Sequence, residues 1–198
     1  MWKNRHHSLF VLGLVTLMVL PSFAHAHSEA GAGGFSSGFM HPLSGLDHMA
    51  AMIAVGLWGA CLGAPAVWLL PITFPVVMAL GGALGIMGIP LPSVETGIAL
   101  SAILLGLMVA FAARPPIWLA GMIVGFFAIF HGHAHGTELP TASNAYAYAA
   151  GFVISTGLLH LCGIGFGLLS RYPWGGIAIR TGGGAIAALG FCFLFSVL

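Results

Sequence analysis

Residues 39–62 read FMHPLSGLDHMAAMIAVGLWGACL. An aspartate and two histidines, His41, Asp47 and His48, head a run that is otherwise apolar and long enough for a membrane helix. A charged side chain costs about 2.5–3.5 kcal/mol at the centre of such a helix, even on lenient insertion scales. Groups of that kind are kept where they do chemistry, so this stretch carries both the fold class and the functional question.

The rest of the 198 residues agree with a membrane reading. Hydrophobic residues make up 59% and charged residues 5%, and mean hydropathy is +1.05. A water-facing surface needs roughly 25% charged residues, so the expected fold class is an all-α integral membrane protein. Net charge is +1 with no basic run, which excludes nucleic acid as a partner. No Walker A sequence is present to couple ATP.

MWKNRHH supplies a positive n-region, SLFVLGLVTLMVL an apolar core, and Ala24-His25-Ala26 an A-x-A cleavage site, so residues 1–26 read as a signal peptide. The mature chain, 27–198, then begins at His27 outside the cytoplasm. Six spans are expected near 38–62, 66–88, 94–112, 116–135, 145–169 and 178–198. They are separated by the turn-rich stretches LGAPA, GIPLPS, ARPP, GTELPTASN and RYPWGG. This topology puts Arg114, Arg171 and Arg180 on the cytoplasmic side, as the positive-inside rule requires. The mature N-terminus and the histidine-rich loop between spans four and five fall outside, on a bacterial inner membrane. Gly59/Gly63, Gly81/Gly85, Gly121/Gly125 and Gly163/Gly167 are read as helix-packing surfaces. Cys61, Cys162 and Cys192 are read as packing residues rather than a disulfide framework.

His41-Pro42 reads as a helix start, and on one continuous helix His41 and His48 would share a face. The second cluster, FHGHAHGTELP, contains His131, His133, His135 and Glu138 and closes the outward-running fourth span. Glu95 heads the third span at the same level. His133 is expected to collect metal in the loop, His160 lies deeper in the fifth span, and His27 is a further N-terminal candidate. Neutral imidazoles with a few carboxylate oxygens suit Ni²⁺, Co²⁺, Cu²⁺ or Zn²⁺, whereas Ca²⁺ and Mg²⁺ ask for more oxygen ligands.

These two motifs also carry a resemblance. HPLSGLDHMAAM is similar to the H-P-x-x-G-x-D-H signature of the HupE/UreJ family, and FHGHAHGTELP is similar to that family's second motif. The resemblance implies a nickel/cobalt permease, often encoded with hydrogenase or urease systems. It implies His41, Asp47, His48, Glu95, His135 and Glu138 as functional positions. The expected activity is secondary uptake of Ni²⁺ or Co²⁺, with no permanently bound cofactor and with the cation and the lipid bilayer as partners. A homo-oligomer is left open. No nucleotide is required, since moving two charges through 100 mV is worth about 4.6 kcal/mol. Two other readings compete: an intramembrane zinc hydrolase using Asp and His ligands, and a metal-binding sensor or chaperone subunit.

Overall fold

The computed structural model describes residues 34–138 and 144–197. The signal segment and His27 therefore lie outside the described residues. Those described form seven α-helices: α1 Phe35–Ser44, α2 Leu46–Leu62, α3 Ala66–Ile86, α4 Val94–Ala110, α5 Ile117–Thr137, α6 Ala145–Gly167 and α7 Gly175–Val197. A single 3₁₀ turn, Leu168–Arg171, follows α6.

Helices α3, α5, α6 and α7 are long and apolar enough to cross a bilayer. The first expected span is instead two helices, α1 and α2, meeting at 85°. The break falls at Gly45, which is extended (φ −98°, ψ 113°) and begins α2. Pro42 lies near the end of α1, not at a helix start. Its ring removes a main-chain donor just before the break, and a Cβ on Gly45 would crowd Asp47 Oδ1 and His48 Nδ1. The expected third span, α4, has 17 apolar residues, about 25 Å of helix against roughly 30 Å of hydrocarbon. The six expected spans thus become four full-length helices, one bent pair and one short apolar helix.

Helix α3 packs along α5, α4 along α7, and both α1 and α2 along α6. The α3–α5 seam is backbone against backbone. A Cβ on Gly132 would run into the Met78 carbonyl, and one on Gly136 into that of Gly82. Of the expected glycine surfaces, Gly81, Gly85 and Gly163 do lie at such backbone contacts, and Gly167 lies against the Ala60 side chain. Gly121 and Gly125 meet only side-chain tips at ordinary distance, and Gly63 has φ +82° in the turn after α2. Small-residue spacing marks a face that can be approached closely, not one that is.

Arg180 Nε donates to the Ala110 carbonyl at 2.8 Å, at the end of α4, where a cation is favoured by the helix dipole. Trp58, in the last third of α2, donates its indole N–H to the Ala113 carbonyl, beside Arg114. Arg114 and Arg180 therefore stand at the end of the bundle remote from His48, which opens α2.

Candidate metal centre

Three separate segments deliver histidines to one place. α5 runs unbroken through Thr137, so His131, His133 and His135 are all helical and buried. His131 and His135 are four apart and share a face. His135 reaches both halves of the broken helix: its ring centroid is 4.8 Å from that of His41 on α1 and 4.6 Å from that of His48 on α2. His48 also lies 4.9 Å from His131. His41 and His48 therefore meet through His135 and not through a shared helical face, because the 85° bend removes the continuous helix on which that expectation rested.

Glu138, just past the last turn of α5, brings Oε2 to 3.3 Å from His41 Nε2. One potential ligand atom each from His41, His135 and Glu138 lies within 4.8 Å of the others.

The carboxylate of Asp47 has a different geometry. Its Oδ1 accepts the His48 main-chain N–H at 2.8 Å and lies 2.9 Å from His48 Nδ1. Asp47 is in the first turn of α2, where exposed N–H groups and the helix dipole favour a negative charge. A hydrogen on Nδ1 satisfies this pair and leaves Nε2 of His48 as the lone-pair nitrogen. That Nε2 is buried and makes no hydrogen bond among the described residues.

A similar device sets His131. The Ser101 hydroxyl donates to the Ile98 carbonyl at 2.6 Å and lies 2.9 Å from His131 Nε2. With its hydrogen already given to Ile98, Ser101 accepts from Nε2, and Nδ1 of His131 carries the lone pair. That nitrogen, and both ring nitrogens of His135, are likewise buried without hydrogen-bond partners among the described residues. Such atoms are rare and call for an ion or a water.

The remaining expected positions fall outside this group. His133 points the other way around α5 and donates from Nε2 to the Ile89 carbonyl at 2.8 Å, so it ties the α3–α4 turn to α5 and does not sit in a loop. Glu95 is exposed in the first turn of α4 and is not part of the close group. His160 is buried on α6 against Phe74, at 5.5 Å between centroids.

Sequence reasoning missed Ser101 and the two aromatic residues that wall the site, Phe152 at 4.4 Å from His135 and Tyr148 at 6.0 Å from His41. Ser101 offers only the signal of a lone hydroxyl in an apolar run. Tyr148 and Phe152 could have been found by continuing the four-residue spacing back from His160.

The profile of the family described as HupE / UreJ protein matches residues 14–193. Protein HupE of Rhizobium leguminosarum bv. viciae is 51% identical over 177 residues, covering 89% of this chain and 93% of that protein. No solved structure matches the chain.

Proposed function

The chain belongs to the HupE / UreJ family of permease-type membrane transporters, and on that premise we propose that it takes up Ni²⁺, with Co²⁺ as the alternative cargo, through the cluster around His135. The intramembrane hydrolase reading falls away with family membership. The observation that carries the proposal is the convergence of buried ring nitrogens of His48, His131 and His135 that have no hydrogen-bond partner among the described residues, beside the His41–Glu138 pair.

His48 Nε2, His131 Nδ1 and a nitrogen of His135 supply imidazole ligands, and His41 with Glu138 forms the entrance that first meets the cation. Asp47 contributes its charge and fixes the His48 tautomer; Ser101 fixes that of His131. Carboxylates and hydroxyls behind ligating histidines commonly have this role. A nitrogen-rich set with a few oxygens fits Ni²⁺ and Co²⁺. Arg114 and Arg180, remote from the cluster, support an orientation with the cluster outward and the arginines in the cytoplasm of a bacterial inner membrane. The recipient is then a nickel enzyme, hydrogenase or urease, as the family resemblance suggests.

The test is uptake of radiolabelled Ni²⁺ into proteoliposomes containing this chain alone. Voltage-driven accumulation is expected. Saturable binding without accumulation would favour the sensor or chaperone reading instead.

A further inference from the structure

Asn144 opens α6: its side chain accepts the main-chain N–H groups of Tyr146 and Ala147, as a helix N-cap does. Tyr148 lies one turn on, and its N–H donates to the Asn144 carbonyl at 2.9 Å. The same stretch is clamped against α1. A Cβ on Gly38 would run into the Tyr148 carbonyl, and one on Gly151 into that of Phe35. The Tyr148 backbone is thus held against the helix that carries His41.

Its side chain lies at the entrance of the metal centre. The ring stands edge-on to His41 at 6.0 Å and stacks with Phe152 at 6.3 Å. Phe152 in turn packs on His135 at 4.4 Å. Tyr148 is only 4% exposed, and its hydroxyl is buried with no hydrogen-bond partner among the described residues. Buried tyrosines usually find a partner, and an unsatisfied buried polar group costs about 1–3 kcal/mol. Phenylalanine would supply the same packing without that cost. The Glu138 carboxylate is near enough for its charge to act on the phenol, yet no hydrogen bond joins the two. A polar gap of this kind is the place for a bridging water.

The cargo supplies that water. His41, His135 and Glu138 offer one ligand atom each, all within 4.8 Å of one another. Three protein atoms do not complete the shell of Ni²⁺ or Co²⁺, so a cation captured there keeps water. Water on a cation has a lone pair committed to the metal and both hydrogens left to donate. It needs an acceptor, and the Phe152 side of the entrance offers none.

We propose that the Tyr148 hydroxyl is a further cargo-binding group, which accepts a hydrogen bond from a water carried by the cation at His41, His135 and Glu138 and turns its own hydrogen toward the Glu138 carboxylate. The inference rests on the reading of the cluster as a cation site. A neutral group in this place recognises a partly hydrated ion without adding charge, so it aids capture while still letting the ion leave.

Tyr148→Phe, which keeps the ring and removes only the hydroxyl, tests this. In the detergent-purified full chain its Ni²⁺ dissociation constant should rise about three- to tenfold, the worth of one hydrogen bond. In proteoliposomes KM for Ni²⁺ should rise by a similar factor with the maximal rate retained. Co²⁺ bound to the two proteins should differ in visible absorption, since the lost hydrogen bond changes a bound water as a ligand. Wild-type affinity and KM in Tyr148→Phe overturn the proposal. Weaker affinity with an unchanged Co²⁺ spectrum assigns the residue to packing and overturns it as well. His135→Ala separates the two readings: unchanged Ni²⁺ binding there defeats the cluster itself. Loss of binding in His135→Ala beside wild-type binding in Tyr148→Phe leaves the cluster standing and removes Tyr148 alone.

Discussion

Asp47 Oδ1 is shared between the main-chain N–H and the ring Nδ1 of His48, at 2.8 Å and 2.9 Å. One carboxylate oxygen thus engages a main-chain N–H in the first turn of α2 and sets which nitrogen of the neighbouring imidazole is available. Asparagine can reproduce both hydrogen bonds through its amide oxygen, but not the charge. Asp47→Asn is therefore expected to insert and fold as the wild type does while Ni²⁺ uptake is lost. Normal uptake by well-expressed Asp47→Asn protein would show that the charge is dispensable and that Asp47 serves α2 alone.

The two histidines of α5 that face opposite ways should separate cleanly. His135→Ala removes the residue that touches both His41 and His48, and uptake at low external Ni²⁺ should fall severely. His133→Ala breaks the bond to the Ile89 carbonyl, at a cost of about 1 kcal/mol in stability. It should lower the melting temperature in detergent while leaving KM close to wild type. Equal transport defects in equally stable proteins would contradict this division.

Ser101 is predicted to act through His131. Ser101→Ala leaves Nε2 of His131 without its acceptor, so the ring loses the bond that fixes its tautomer. Ni²⁺ affinity is expected to fall about 10–100-fold. Ser101→Thr, which restores a hydroxyl, should recover part of the loss. Isothermal titration of the three proteins measures the effect, and a Ser101→Ala protein with wild-type affinity would remove Ser101 from the site.

What could be read in the sequence was chemistry and apolar length; what could not was geometry. His41, Asp47, His48 and His135 stand out because titratable residues are expensive in apolar runs. The break at Gly45 is hidden because hydropathy averages over a window and treats residues 38–62 as one run. Pro42 reads as a helix start because proline suits the first turn, and that choice made His41 and His48 appear to share a face. His133 and His135 are two residues apart, so their opposite directions follow once α5 is known to continue past His131. The Ser101–His131 bond joins residues 30 positions apart, and no local pattern announces it.

Equilibrium binding should weaken with acid. Imidazolium has no lone pair for a metal, so protons and Ni²⁺ compete for the same nitrogens. Falling pH therefore lowers affinity, and rising pH restores it. Between pH 7.5 and 5.5 the loss reaches at most about tenfold for each ligating imidazole that titrates at the ordinary value near 6.5. Binding to detergent-purified protein, measured apart from transport, isolates this effect. A flat profile would mean that no ligating imidazole takes up a proton in this range, whether because burial keeps the rings neutral or because oxygen atoms hold the ion.

The break between α1 and α2 also has an electrical consequence. Main-chain groups released from helical bonding survive at membrane depth only where protein or water engages them. Water admitted as far as Gly45 would carry the potential of the bathing solution with it, so little of the transmembrane field would fall between bulk solvent and the cluster. The field would then be compressed into the apolar half beyond it, past Phe74. Capture of the cation would be nearly indifferent to voltage, and the membrane potential would do its electrical work on the inward step that follows.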